Sequence, residues 1–457
     1  MTMLEDTIVA ISTPLGYGGL GIVRMSGTNS FAIVKKIFRP KKPGKKISPR
    51  LALLGRFFNP ITDQPFEEAY LIFFPKPETY TQEDMVEMTC HGSPVILEEV
   101  VRLCCQEGAR LANPGEFTLR AYLNGRIDII QAEAINDLIQ ASSFTQAQIS
   151  FHQIEGRLSK RIQALRNQFI HLLSQIEASI EFPDEGLHIS TKQIGKTLDS
   201  ATKTITHLVK SYDLGKSLLS GVTIAIAGKT NVGKSTLFNA LLQQDRAVVT
   251  AYPGTTRDYL QERIQIKDAG FILTDMAGID KASHPADKES IKKGKQIASD
   301  TDGILLILDV SRKESRQDLD LIKRFLSRKI IILFNKTDLS QKMDIQRIRD
   351  MFPKIPSLEI SALKGTNLNR LRERLYKLFI PAKEKNEEII FHLRQKLILE
   401  EIEKILLVAK RLHMDGYSEE FTAEEIRKVV PWIGQLSGEI KADDVIQTIF
   451  SRFCIGK

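Results

Sequence analysis

Apolar residues in the first part of the chain come in short runs broken by Gly and Pro. Thr7–Ile11, Gly21–Met25, Glu68–Phe74 and Met85–Thr89 have the length and residue types of strands. They predict an α+β domain over residues 1–120. The period then changes. Ile154, Leu158, Ile162, Leu165, Phe169, Leu172, Ile176 and Ile180 recur every three or four positions, which predicts one continuous helical stripe. Phe182-Pro183-Asp184-Glu185 stops it. Leu198, Ala201, Ile205, Leu208 and Tyr212 predict a second helix. Ile398, Ile402, Ile405, Ala409 and Leu412 predict another, and Val445–Phe450 begins the last. From Val222 to about Ile380, strand-like runs alternate with helical ones, the pattern of a doubly wound α/β domain. The expected organisation is multidomain: an α+β part over 1–120, an all-α part over 121–215 and 381–457, and an α/β domain over 216–380 inserted into the helical part. The apolar stripes are read as core.

The most specific chemistry sits inside the α/β segment. Gly228 to Ser235 fits G-x-x-x-x-G-K-[ST] at every fixed position. The buried-strand run Val222–Ala227 precedes it and the helical run Thr236–Leu242 follows it, which is the context this motif needs. Backbone N–H groups of such a loop, with the helix N-terminus, cradle phosphates. Lys234 adds a point charge at the β/γ-phosphates, and the Ser235 hydroxyl can ligate Mg²⁺.

Downstream residues select the base. The apolar run Ile330–Phe334 leads into Asn335-Lys336-Thr337-Asp338. The Asp338 carboxylate can accept from the ring N–H and the exocyclic amine of guanine. Adenine lacks that pair of donors, and a site built on buried polar groups rejects a ligand that leaves them unpaired. Asn335 is expected at the other edge of the base, the Lys336 stem over its face, and backbone N–H groups of Ser361-Ala362-Leu363 at the guanine oxygen. Thr256, in the polar loop Gly254–Asp258, is the candidate second hydroxyl for Mg²⁺. Asp275 would hold Mg²⁺ through water, and the Gly278 N–H would sense the γ-phosphate, making a nucleotide-dependent switch. The residues expected at GTP are therefore Asn231, Val232, Gly233, Lys234, Ser235 and Thr236; Thr250, Ala251, Tyr252, Pro253, Gly254, Thr255 and Thr256; Asp275, Met276, Ala277 and Gly278; Asn335, Lys336, Thr337 and Asp338; and Ser361, Ala362 and Leu363. Ile279 stands where many GTPases place a water-orienting Gln. Asp280, Asp287, Glu289 or a cation held by the loop are the alternatives.

Composition adds little that is specific. Of 457 residues, 42% are hydrophobic and 26% charged, as in ordinary globular proteins. No apolar run is long enough to cross a membrane, and the strand-like start predicts neither signal nor transit peptide. Cys90, Cys104, Cys105 and Cys454 show no metal-ligand spacing, so reduced thiols and a cytoplasmic location are expected. The net charge of +8 permits a nucleic-acid partner without requiring one. The basic run Arg39–Lys46 is a solvated loop or an RNA contact. The ending Phe453-Cys454-Ile455-Gly456-Lys457 fits a prenylation box poorly. A frayed terminus and a terminal Lys reaching into a site both remain open there.

Several motifs, taken in order, resemble one family. They are Asp6–Ala10, Gly18–Gly27, Tyr80–Asp84 with Cys90–Pro94, Asn113–Phe117, Gln131–Ile135, Phe182–Glu185, the GTPase motifs and the terminal Cys-x-Gly-Lys. Together they resemble the MnmE (TrmE) tRNA-modification GTPases from end to end. The resemblance implies that the first domain binds a tetrahydrofolate derivative (5-formyl or methylene form) and dimerises. Its folate contacts fall on Arg24, Glu87, Arg126 and Lys457, with Arg126 where many relatives have Lys. Cys454 would lie near the folate as a candidate for the one-carbon chemistry. It implies K⁺ in place of an arginine finger, held by Asn231, Thr250, Tyr252 and Thr255. It places a catalytic acid at Asp287, where Glu is usual, and Met276 where Thr is usual; both bear on the efficiency of hydrolysis. The implied function is modification of the wobble uridine of certain tRNAs at C5, by a homodimer working in a heterotetramer with a flavin- and NADH-dependent partner subunit. GTP hydrolysis would drive a conformational cycle. The alternative is a regulatory GTPase bound to ribosomal RNA without covalent chemistry. The first domain and the Cys-x-Gly-Lys end favour the modifying enzyme.

Overall fold

A computed structural model of the chain describes residues 6–59, 62–182, 189–243, 261–275, 301–380, 388–439, 443–451 and 453–457. The chain forms two compact units. One comprises Met1–Asn136, Phe151–Thr202 and Glu401–Lys457; the other comprises Asp137–Ser150 and Lys203–Glu400.

The first unit holds a seven-stranded sheet. Its strands are β1 (Ile8–Ile11), β2 (Gly18–Ser26), β3 (Phe38–Pro40), β4 (Leu53–Phe58), β5 (Pro65–Phe74), β6 (Met85–Gly92) and β7 (Arg110–Leu111), in the order β3-β4-β5-β6-β2-β1-β7. Alternation along β2, β5 and β6 divides their side chains between two faces. Val23, Met25, Leu71, Phe73, Val86 and Met88 are buried, with Ile33, Val34, Leu97 and Val100 from helices α1 (Ser30–Ile37) and α2 (Pro94–Gln106). Pro94 opens α2, where its fixed φ and missing N–H carry no penalty. Burial of each such side chain contributes about 1.5–3 kcal/mol. Close packing shows at Gly21, where an added Cβ would come within 2.5 Å of Leu97 Cδ1. On the opposite face Arg24 of β2, Glu87 of β6 and Ile72 of β5 lie side by side in register.

Helical parts of the same unit follow. The apolar stripe expected as one helix over Ile154–Ile180 is broken. One helix ends at Ile154 and the next runs Arg157–Glu181. Gly156 between them takes a left-handed backbone, φ +79°, which glycine adopts without the Cβ penalty. The apolar period runs through the break, so periodicity alone cannot show it. Leu158, Ile162, Leu165, Phe169, Leu172 and Ile176 are buried along Arg157–Glu181, which packs against Glu419–Ser437. That second helix buries Ile426, Val429, Ile433 and Leu436.

The second unit contains the six-stranded sheet β13-β12-β11-β8-β10-β9. Its strands are β8 (Val222–Ala227), β9 (Gln261–Ile266), β10 (Ala269–Asp275), β11 (Gly303–Asp309), β12 (Lys329–Asn335) and β13 (Ser357–Glu359). All pairings are parallel except β9 with β10. Every residue of β11 is buried, as expected of a strand covered on both faces. Chain order departs in opposite directions from β8, with β10 on one side and β11 on the other. The C-terminal end of β8 is therefore a topological switch point, where such sheets bind ligands. The motif loop Gly228–Ser235 follows it directly, and its helix runs Lys234–Gln243.

Candidate functional site

The loop after β8 is shaped by backbone geometry before any ligand is considered. Asn231 takes φ +60° and Gly233 takes φ +102°. A Cβ on Gly228 would meet Ile307 O at 2.6 Å, and one on Gly233 would strike the Asn335 amide. Both glycines are therefore required by close approach. Lys234 is buried, and its Nζ donates to Gly228 O at 2.7 Å and Lys229 O at 2.9 Å. The ammonium sits across the loop it is expected to serve.

Side chains from the far end of the sheet pin this loop. Asn335 ends β12 and is 2% exposed. Its Nδ2 donates to Val232 O at 2.8 Å, and its Oδ1 accepts from Ala362 N at 2.9 Å. The amide expected at the edge of the base thus braces the phosphate loop against the Ser361–Leu363 loop. Lys336 Nζ donates to Asn231 O at 2.8 Å and to Asp309 Oδ2 at 2.6 Å. Burial raises the Asp309 carboxyl, but Lys336 and Ser311 outweigh it and hold it below the usual carboxylate range. Asp338 accepts from Ser361 Oγ at 2.5 Å, and that hydroxyl holds its carboxyl below the usual range. Asn335, Lys336, Asp338, Ser361 and Ala362 are thereby brought to one edge with the phosphate loop.

Sequence reasoning passed over two members of this frame. Asp309 is the last residue of a fully buried strand, and a carboxylate there is the only signal. Lys229 occupies an unspecified motif position, yet its Nζ lies 2.9 Å from Asp318 Oδ1 and also reaches the Ser315 hydroxyl. Ser315 and Asp318 form the capping box of helix Arg316–Arg324. Asp275 ends β10 opposite Ile226 of β8. Thr250, Ala251, Tyr252, Pro253, Gly254, Thr255, Thr256, Met276, Ala277, Gly278, Ile279, Asp280, Asp287 and Glu289 lie outside the described residues. Among the described residues no cluster of three or more His, Cys, Asp or Glu could hold a metal.

The first unit carries a second cleft. Arg24 Nε and Nη2 donate to Glu87 Oε1 at 3.0 and 2.8 Å. The Arg24 guanidinium lies 5.5 Å from the Tyr80 ring centre and 5.8 Å from that of Phe117. Arg126 stacks on Tyr80 at 4.8 Å and donates to Tyr80 O at 3.2 Å. Tyr80 OH bonds Thr118 Oγ1 at 2.9 Å, and burial pushes its phenol up.

The C-terminal residues complete the wall. Gly456 is seated against the backbone of Ile11 and Ser12, leaving no room for a Cβ. Lys457 is half-buried; burial and the neighbouring Arg24 hold its ammonium below the usual range, against Glu87 and Cys454. Cys454 is exposed, whereas Cys90 and Cys104 are buried. Burial, with Glu67, pushes the Cys90 thiol up to about 12. Arg24 and Glu87 are thus paired, and a cavity of about 660 Å³ opens beside them, lined by Glu87, Arg126, Tyr80 and Met85 among others. The terminus does not fray here; it docks.

Known proteins match the chain along its whole length. Residues 129–454 match the family model of the MnmE helical domain, and residues 7–126 match that of the GTP-binding protein TrmE N-terminus. The tRNA modification GTPase MnmE of Natranaerobius thermophilus is 35% identical over 458 residues, covering 100% of both chains. Its counterpart in Thermoanaerobacter sp. is 36% identical over 460 residues, again with 100% of each chain. That of Aquifex aeolicus is 37% identical over 456 residues, 99% of this chain and 100% of the relative. A phosphate loop at the switch point of its parallel sheet, a helical part and a TrmE-type N-terminal domain, matched along the whole length, show that this chain belongs to the MnmE (TrmE) family of tRNA modification GTPases.

Proposed function

We propose that the chain hydrolyses GTP to drive modification of certain tRNAs at C5 of the wobble uridine (position 34). The group added is of the aminomethyl or carboxymethylaminomethyl type, with its one-carbon unit taken from a tetrahydrofolate derivative. The chain acts as a homodimer, in the cytoplasm, in a heterotetramer with a flavin- and NADH-dependent partner subunit. Residues 1–120 bind folate and dimerise, residues 121–215 with 381–457 form the helical domain, and residues 216–380 form the GTPase domain.

The observation that carries this reading is the docking of the C-terminal tail, with Gly456 seated against the backbone of Ile11 and Ser12 and Cys454 O accepting from Gly115 N at 3.4 Å. A GTPase with no further chemistry has no use for a tail docked on the strand that pairs with the one carrying Arg24. The cavity fits a folate on three counts. Its volume is that of a small-molecule site. The Glu87 carboxylate can accept from the N–H donors of a pterin. Arg126 supplies a cation on the cavity wall, stacked on Tyr80. When bound, the folate supplies the one-carbon unit; the residues here bind and orient it, and Cys454 is the exposed thiol on the docked tail.

In the GTPase domain, Lys234 is placed to turn from the carbonyls of Gly228 and Lys229 to the β/γ-phosphates. Ser235 and Thr256 are the proposed Mg²⁺ ligands. Asn231, Thr250, Tyr252 and Thr255 are those proposed for K⁺, which would stabilise charge at the transferred phosphate. Asn231 takes a left-handed backbone and accepts from Lys336 Nζ through its carbonyl, and its side chain is exposed on the loop. Asp287 is the proposed acid that orders the attacking water.

Deleting Cys454–Lys457 tests the reading. Modification of tRNA is expected to disappear while GTP binding persists. Full modification by the truncated chain would remove the tail from the mechanism.

A further inference from the structure

The cavity beside Glu87 extends across the sheet to a residue that neither site reasoning nor family resemblance singled out. Arg50 lines its far end, together with Glu78, Pro77 and Phe74. The segment carrying it runs alongside β5. Pro49 pairs with Phe73 in parallel, and Arg50 N donates to Phe73 O at 2.7 Å. Arg50 is therefore level with Phe74, whose side chain shares the face of Ile72, and Ile72 is the register partner of Glu87. Two strand spacings, about 10 Å, separate the Glu87 backbone from that of Arg50. The floor between them is apolar, formed by Phe74, Met85 and Tyr80.

The chemistry at the two ends is complementary. At one end, both Arg24 donors fall on Glu87 Oε1. Glu87 Oε2 accepts no hydrogen bond among the described residues, so it is available to a ring N–H. At the other end, Arg50 spends only Nη2, on Glu78 O at 2.9 Å and Glu78 Oε2 at 3.0 Å. Its Nε and Nη1 make no hydrogen bond among the described residues. The Glu78 side chain is 82% exposed, so it competes weakly for the guanidinium. An arginine with most of its fork unspent suits a carboxylate.

We propose that Arg50 is a specificity-determining residue that receives the acidic tail of the ligand whose ring system lies against Glu87. The cavity then selects a flat heterocycle joined to an anionic tail over the heterocycle alone. This rests on the folate reading above and names the part of the molecule that Arg50 recognises.

The test is calorimetric binding of two probes to the full chain: 5-formyl-tetrahydrofolate, which has the glutamate tail, and 6-methyl-tetrahydropterin, which lacks it. The native chain is expected to prefer the tailed probe. Arg50→Gln is expected to weaken the tailed probe about fivefold, the scale of a partly exposed charge-assisted contact, and to leave the tail-less probe unchanged. Arg50→Lys is expected to recover part of the loss, because charge is kept and the fork is lost. A tailed-to-tail-less ratio that is equal in the native and Arg50→Gln chains overturns the role of Arg50 while leaving the folate reading standing. Failure of the native chain to bind the tailed probe at all overturns both.

Discussion

Replacing Asn335 by Ala removes two buried hydrogen bonds at once. Val232 O loses its donor and Ala362 N loses its acceptor. Both are backbone groups beside a side chain that is 2% exposed, so neither finds bulk water without the loops moving apart. Each buried polar group left unpaired costs about 1–3 kcal/mol, giving about 2–4 kcal/mol for the pair after partial relaxation. The cost falls on the joint between the phosphate loop and the Ser361–Leu363 loop, so nucleotide binding has to re-order both. GDP affinity, measured with a fluorescent nucleotide, is expected to fall at least tenfold, equivalent to about 1.4 kcal/mol. The midpoint of thermal unfolding of the nucleotide-free chain is expected to fall as well. Asn335→Asp keeps the acceptor for Ala362 N but sets a carboxylate against Val232 O in a buried site, so its loss is expected to be larger. A GDP affinity within twofold of the native chain, with an unchanged midpoint, would refute the bracing role.

Three further expectations follow from other parts of the molecule. Asp338→Asn is expected to reduce discrimination of GTP against xanthosine triphosphate in competition binding, and unchanged selectivity would mean that the base is read elsewhere. Exchange of K⁺ for Na⁺ is expected to slow GTP hydrolysis at least tenfold at equal ionic strength, since an arginine finger is worth roughly 10³–10⁵ and the cation would do part of that work; equal rates would remove the cation. In acid, the first unit is expected to lose stability through Asp6 and Glu116. Burial raises both carboxyls, but Arg110 and Arg120 outweigh it and hold them below their ordinary values of 3.8 and 4.5. A carboxyl depressed in the folded state stabilises it fully above its unfolded value, and that stability is lost as pH falls through the folded value. Unfolding followed by circular dichroism should therefore show a flat response above about pH 5 and a decline below pH 4 that Arg120→Met reduces, Arg110 still holding Asp6 and Glu116.

How much of this was legible in the sequence depends on how local each signal is. The phosphate loop is read directly, because the strand Val222–Ala227, the glycines and the helix after Ser235 are contiguous. Strands β1, β2, β5, β6, β8 and β12 are legible for the same reason: their alternation or continuous apolar character is a property of a few adjacent residues. The pairing of Arg24 with Glu87 is not, since 63 positions separate them and only the antiparallel register of β2 and β6 makes them neighbours. Family resemblance, and not spacing, pointed to them. The motif marks Asn335 but not the bracing bonds it makes, because its two partners lie on loops 103 and 27 positions away. Lys229 and Arg50 occupy positions that no motif specifies; their meaning comes from Asp318 and from the cavity. Gly156 shows the converse failure, where a true apolar period concealed a break.

The docked C-terminus seats Gly456 against Ile11 of β1, in the sheet of the first domain. The central claim is that this GTPase serves covalent modification of the wobble uridine. Mass analysis of wobble nucleosides from cells lacking the chain, and from the same cells supplied with it, tests that claim most directly. C5-modified uridine at position 34 is predicted to be absent without the chain, restored by the native chain, and not restored by one lacking Cys454–Lys457. Equal levels of the modified nucleoside in all three would contradict the account.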